Sequence, residues 1–176
     1  MAWVNDNKIV EWVRGGYELS TDRDRLDIEK IHHFLSEQSG WARGQSRDTL
    51  MRSIAHSLAL GLYYQGQQIG FARIVTDFAR LAYVMDIFID EAFRGRGLGT
   101  WLSAVVRSHP DLVNVSKWML TTRDAQPVYQ RAGWNLVTHP ESIMEITRAN
   151  PAAHCTIPLA ETRLTVKPFI TKDGPQ

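Results

Sequence analysis

The sequence predicts a mixed α/β (α+β) fold whose mostly antiparallel central sheet ends in a β-α-β crossover. Three observations point there. The apolar spacing is helical early in the chain, at Ile28, Ile31 and Leu35, and gives way to near-continuous apolar runs from Leu58 onward. Two of those runs flank Gln65-Gly66, a hairpin signal. A third run leads through a glycine-rich turn into an amphipathic helix, and another strand-like run follows that helix.

Taken in order, Tyr17-Glu18-Leu19 reads as a short first strand, and Ser20, Thr21, Asp22 and Asp24 then offer N-cap oxygens for a helix over Arg25 to Glu37. Gly40 breaks the chain, and Ser46 caps a second helix that carries Leu50 and Ile54. Leu58–Tyr64 and Gln68–Thr76 form the hairpin, with Gly66 as the residue of positive φ, and Leu81–Ile89 is a third strand rich in β-branched and aromatic residues. A helix starts near Gly97, exposes an apolar face of Leu98, Leu102, Val105 and Val106, and stops before Pro110. Trp118–Thr122 is a strand and Gln126–Arg131 a short helix ending at Gly133. Trp134–Val137 and Met144–Thr147 are expected as closing strands, with a weaker strand signal at Leu164-Thr165-Val166.

These elements define a domain over residues 17–150. An extension over residues 1–16 is expected to fold over it through Trp3 and Trp12, and one over 151–176 to pack on it. Hydrophobic residues make up 44% of the chain and charged residues 22%, which excludes a disordered segment or a disulfide scaffold. A formal net charge of +1 provides no bulk attraction to nucleic acid or membrane. The tryptophans form no stacking platform with interleaved basic residues, so nucleic acid is not an expected partner. Cys155 is the only cysteine and the histidines show no ligand spacing, so no metal is expected. The opening residues lack the apolar run of a secretory signal, and no stretch approaches a membrane span, so a cytoplasmic location is expected.

The chemistry centres on Arg94-Gly95-Arg96-Gly97-Leu98-Gly99. A glycine turn opening a helix leaves backbone N–H groups unpaired, and the helix dipole adds positive charge there. Without Cβ atoms in the way, an anion can come close, so the turn is a phosphate cradle, with Arg94 and Arg96 adding positive charge. It lacks the lysine of a P-loop, and its glycines do not have dinucleotide-binding spacing, because Thr100 follows Gly99.

The pattern Arg94-x-x-Gly97-x-Gly99 resembles the Gln/Arg-x-x-Gly-x-Gly/Ala signature of the GNAT acetyltransferase superfamily. The likeness takes in Val84-Met85-Asp86-Ile87-Phe88-Ile89, Leu120 to Ala125, and Tyr129-Gln130-Arg131-Ala132-Gly133-Trp134, which is similar to the family's Tyr-x-x-x-Gly-Phe with Trp for Phe. It covers about residues 17 to 147. The resemblance implies the GNAT fold and transfer of an acetyl group from acetyl-CoA to a primary amine by direct attack in a ternary complex. The segment Arg94 to Thr100 would hold the pyrophosphate, and Thr122 stands where many relatives place a cofactor-contacting asparagine. The pantetheine arm would pair with the edge of Ile87-Phe88-Ile89, where a backbone N–H near Ile87 or Phe88 would stabilise the oxyanion, a contribution of about 3 kcal/mol.

Tyr129 is the candidate general acid for the leaving thiolate, since a phenol is well matched to a thiol in acidity. Some relatives carry Glu-Asp where this chain has Met85-Asp86, so Asp86 alone is left to orient the substrate ammonium or take its proton through water. Trp41, Tyr63 and Tyr64 are candidates for an acceptor pocket as well as for core. The acceptor is a small-molecule or peptide amine of open identity, and the resemblance also raises a homodimer. The alternative is an acyl-CoA-binding or sensing domain without catalysis, against which Tyr129 argues, because a sensor needs no acid beside the sulfur.

Overall fold

The computed structural model describes residues 8–147. The chain divides into two compact units, residues 1–136 and 137–176. The first contains one six-stranded sheet in sequential order. Its strands are β1 (Glu11–Arg14), β2 (Tyr17–Ser20), β3 (Leu58–Tyr64), β4 (Gln67–Thr76), β5 (Leu81–Ile89) and β6 (Lys117–Leu120). β1 to β5 are successive antiparallel neighbours, and β5 and β6 are parallel. A parallel pair needs a crossover, and helix α3 in the β5–β6 connection supplies it. The helices are α1 (Ile28–His33), α2 (Arg47–Ala55), α3 (Leu98–Val105) and α4 (Gln126–Arg131).

Neighbouring residues along a strand point to opposite faces, and the core follows that rule. Leu60, Ala72 and Val84 join α3 residues Leu98, Leu102 and Val105 in one apolar cluster. Ala59, Phe71 and Phe88 join Ile31, Leu35, Leu50 and Ile54 in another, from the α1–α2 segment. The sheet is thus covered on both faces. Ser46 caps α2 as expected, its Oγ accepting from the Thr49 N–H at 3.2 Å.

The helix expected over Arg25 to Glu37 is broken in two ways. Asp27 accepts from the Lys30 N–H at 2.9 Å and so starts α1 late, after a 3₁₀ turn at Arg23–Arg25. The C-terminal part widens into a π-helical turn, Phe34–Gln38, in which the Ser39 N–H donates to Phe34 O at 2.9 Å. Gln65 as well as Gly66 has positive φ, 49° and 78°, so the β3–β4 hairpin turn needs both residues left-handed.

Two further differences concern the ends of the domain. The segment expected as an extension supplies edge strand β1, paired with β2. Trp12 packs on the α3-side core and Arg14 lies over the Trp101 ring, 4.8 Å from its centroid. The expected closing strands Trp134–Val137 and Met144–Thr147 do not form. The Trp134 N–H is taken by Tyr129 O at 3.1 Å, which finishes α4 instead of starting a ladder. Pro140, which has no N–H, begins a 3₁₀ turn at Pro140–Ser142 in the second unit. Trp3 and Leu164-Thr165-Val166 lie outside the described residues.

Gly70 shows how tightly β4 and β5 are fitted near the end of β5. A Cβ there would sit 2.7 Å from the Phe88 carbonyl oxygen, a backbone atom that cannot swing aside. Gly70→Ala is expected to destabilise the protein by about 1–3 kcal/mol, the usual scale of overpacking, read as a lower urea midpoint with an unchanged slope.

Candidate active site

The glycine turn leaves β5 through a 3₁₀ turn, Glu91–Phe93, and enters α3 at Gly97. Gly95 and Gly97 have φ of 75° and 72°, and a Cβ on either would point into open space. These two glycines are therefore there for backbone conformation. Gly99 is there for close approach, since a Cβ on it would lie 3.3 Å from Val128 Cγ1 of α4. Among the described residues the amides of Gly97, Leu98, Gly99 and Thr100 find no acceptor, and the first bond of the helix is Trp101 N–H to Gly97 O. That set of free donors fits a pyrophosphate. The arginines are partly engaged. Arg94 Nε donates to Ile89 O at 3.1 Å, and Arg96 bridges Ala92 O and the Tyr17 hydroxyl at 3.0 and 3.1 Å. Tyr64 packs between Tyr17 and Phe93, next to the start of the glycine turn. Tyr63 is buried under Arg25, and burial pushes its phenol up to about 12.

β5 pairs with β6 only from Leu81 to Val84. Beyond that point it runs on to Ile89 alongside β4 alone, so its other edge is left without a strand partner among the described residues. The change coincides with a bulge. Asp86 and Ile87 both stand opposite Ala72, and Asp86 is left-handed with φ 54°. The extra residue shifts the inside–outside alternation by one. Ala82 and Val84 face the α3 side, after which Ile87 and Ile89 take over that side and Phe88 turns to the α1–α2 side. The bulge is clamped by Arg73 on β4, whose Nε and Nη2 both reach Asp86 Oδ2 at 2.8 Å. The two side chains are only 9% and 6% exposed, so this is a buried ion pair. The Asp86 carboxylate, expected to be available to an amine, is thus already neutralised. Arg73 is the site residue that sequence reasoning missed. Its signal was there: one charge inside the apolar run Phe71-Ala72-Arg73-Ile74 and one of opposite sign inside Met85-Asp86-Ile87, on strands already expected to be neighbours.

Tyr129 lies on α4, directly after the Val128 that contacts Gly99. It is half-buried, and burial raises its phenol above the ordinary value. Among the described residues its hydroxyl has no hydrogen-bond partner, while its ring meets Trp134 edge to face at 6.2 Å. Trp134 is fixed in turn, its indole N–H donating to the buried Ser103 Oγ of α3 at 2.7 Å. Arg107 donates to Ala132 O, at the end of α4, and approaches the Trp134 ring. Thr122 does not present a free acceptor, because its Oγ1 takes the Ala125 N–H at 3.1 Å and shapes the entry to α4. Its hydroxyl proton remains available. The structure therefore packs α4, which carries Tyr129, against Gly99 at the start of α3, and pairs Asp86 with Arg73.

The Arg73–Asp86 pair is testable by itself. Arg73→Met leaves a buried carboxylate unpaired and is expected to cost about 3–5 kcal/mol. Adding Asp86→Asn, which removes that charge and keeps a residue tolerant of positive φ, is expected to restore most of the loss in denaturant melts.

Comparison with known proteins agrees with this geometry. The family model for the acetyltransferase (GNAT) family matches residues 28–134. A Gibberella zeae protein provisionally named an acetyltransferase is 28% identical over 149 residues, 72% of this chain and 82% of its own. A crystal structure from Xanthomonas campestris, described as belonging to the GNAT family, is 38% identical and superposes with a TM-score of 0.72 over 75% of this chain and 93% of its own. A Clostridium acetobutylicum protein solved with acetyl-CoA shares the fold at 16% identity, with a TM-score of 0.52 over 74% of this chain and 94% of its own. The described strand pairing, the glycine turn at the head of α3 and the match over residues 28–134 all lead to one assignment: the chain belongs to the GNAT acetyltransferase family.

Proposed function

We propose that this protein is an N-acetyltransferase that moves the acetyl group of acetyl-CoA to a primary amine by direct attack, with Tyr129 as general acid. The observation that carries the proposal is Tyr129 itself. It combines a desolvated phenol, a hydroxyl with no protein partner among the described residues, and a rigid mount beside the helix that opens on the glycine turn.

In this reading acetyl-CoA is the donor substrate. The amides from Gly95 to Thr100 bind its pyrophosphate, with Arg94 and Arg96 nearby for charge and Thr122 for a hydroxyl contact. The open edge of Ile87-Phe88-Ile89 accepts the pantetheine arm. Of the two proposed oxyanion donors, Ile87 is preferred over Phe88. The Phe88 carbonyl is turned toward Gly70 on β4, and the Asp90 N–H also donates to β4, at Ile69 O and 2.8 Å. By the alternation of a strand, Ile87 and Ile89 then present their backbone groups to the open edge. The amine, having given one proton to solvent, forms the new C–N bond; the C–S bond breaks, Tyr129 protonates the departing sulfur, the nitrogen releases its second proton to solvent, and the Tyr129 phenolate recovers a proton from solvent. Asp86 contributes through Arg73 by holding the bulge that turns Ile87 outward.

Tyr129→Phe is expected to lower the single-turnover acetyl-transfer rate about tenfold or more while acetyl-CoA affinity stays within a factor of two or so. An unchanged chemical rate would remove Tyr129 from the mechanism. The pH profile adds a second check. Because burial raises the phenol above its usual value near pH 10, the acid stays protonated at neutral and mildly alkaline pH, so no loss of rate below about pH 9 should trace to this residue. A protein that binds acetyl-CoA but releases no coenzyme A with any amine would be the sensing domain instead.

A further inference from the structure

The transferase reading leaves the acceptor open, and three features of the α1–α2 side bear on it. The first is a continuous run of aromatic rings. Phe88, beside the proposed oxyanion donor, stacks flat on Phe34 at 4.0 Å between centroids and 13° between planes. Phe34 meets Trp41 at 6.4 Å, and Trp41 is 60% exposed. The run thus passes from the end of β5 to solvent and stops in a tryptophan with one face uncovered. The second feature is the backbone that carries it. Phe34 opens a π-helical turn, and the loop after it is tied back by Ser39, whose Oγ donates to Leu35 O at 2.6 Å and accepts from the Ala42 N–H at 3.1 Å. Trp41 is thus carried by a loop whose backbone is held on both sides by the Ser39 hydroxyl.

The third feature is charge. Asp86 is the buried carboxylate nearest the reacting end of β5 by sequence, and Arg73 neutralises it. Asp90, at the end of β5, is paired with Lys30 at 2.5 Å. Both of these carboxylates are therefore already taken up by protein cations.

Building on the transferase reading, we infer that the acceptor is a primary amine bearing a flat apolar group, aromatic in the first instance. Trp41 and Phe34 form the surface that receives that group. Trp41 is then a specificity-determining residue, because its exposed ring is the part of the run on which a ligand can stack. A polyamine or a sugar phosphate brings no flat apolar group to that surface.

The test compares 2-phenylethylamine, spermidine and glucosamine 6-phosphate as acceptors in a free-thiol assay with the full chain. The expected result is a kcat/KM for 2-phenylethylamine about tenfold or more above the other two. Trp41→Ala should raise KM for that amine about tenfold with kcat and the KM for acetyl-CoA unchanged, and Trp41→Phe should restore most of the loss. A preference for spermidine or glucosamine 6-phosphate, or a Trp41→Ala protein with the parent's KM, overturns the inference. Equilibrium binding of N-acetyl-2-phenylethylamine by calorimetry separates this proposal from the reaction itself. If no amine is acetylated but the binding is present and lost in Trp41→Ala, the aromatic subsite stands and the transferase reading fails. If that binding is absent from the parent protein, the subsite is wrong.

Discussion

The buried contact between Arg73 and Asp86 is the constraint from which the geometry of the site follows. A left-handed aspartate in the middle of a strand is strained, and an unpaired carboxylate there would be worse. Arg73 answers the electrostatic difficulty by placing two N–H groups on one carboxylate oxygen from the neighbouring strand. Once Asp86 is held, the rest of β5 has no freedom. One extra residue stands opposite Ala72, the alternation of faces shifts by one, and Phe88 enters the α1–α2 core while Ile87 and Ile89 turn to the α3 side. Pairing with β6 stops two residues before Asp86, at Val84. The open edge and the aromatic run are two consequences of one bulge, on opposite sides of it.

The α3–α4 side answers a different need, that of holding Tyr129 still. Gly99 lets Val128 come close, which fixes the distance between the two helices. Trp134 then does what a phenylalanine in that place does not. Its ring supports Tyr129, and its indole N–H reaches Ser103, a buried hydroxyl that an apolar ring would leave without that partner. The departure from the usual family motif therefore comes with a compensating residue one helix away.

How much of this was legible follows from the range of the interactions. The glycine turn, the hairpin at Gln65-Gly66, the cap at Ser46 and the helix of Tyr129 are all set by residues within a few positions of each other, and each forms where the sequence places it. The edge strand β1 was missed because a strand of four residues with one apolar anchor, Trp12, carries almost no periodic signal. The closing strands were expected from apolar residues alone, but a strand needs a partner for its N–H groups. The Trp134 N–H was already taken by Tyr129 O. The bulge could not be read at all, since its register depends on β4. Its two charges were visible, and opposite charges inside adjacent apolar strands are a pairing signal that periodicity leaves out.

The same division by range bears on how the two halves of the site can change. The donor half rests on backbone amides, positive φ at glycines and a close helix contact, so nearly any substitution there alters conformation. The proposed acceptor half rests on side chains carried by short elements: α1, the π-helical turn and the loop to Trp41. Those elements are tied to the sheet by a few side chains, such as Lys30 at Asp90 and at the Gln68 carbonyl. A change at Trp41 removes an exposed ring and disturbs none of those ties, whereas a change at Phe34 strips a stacked ring from Phe88 and reaches the core. Selectivity for the acceptor can therefore shift at the outer end of the aromatic run without cost to the bulge, and at its inner end it cannot.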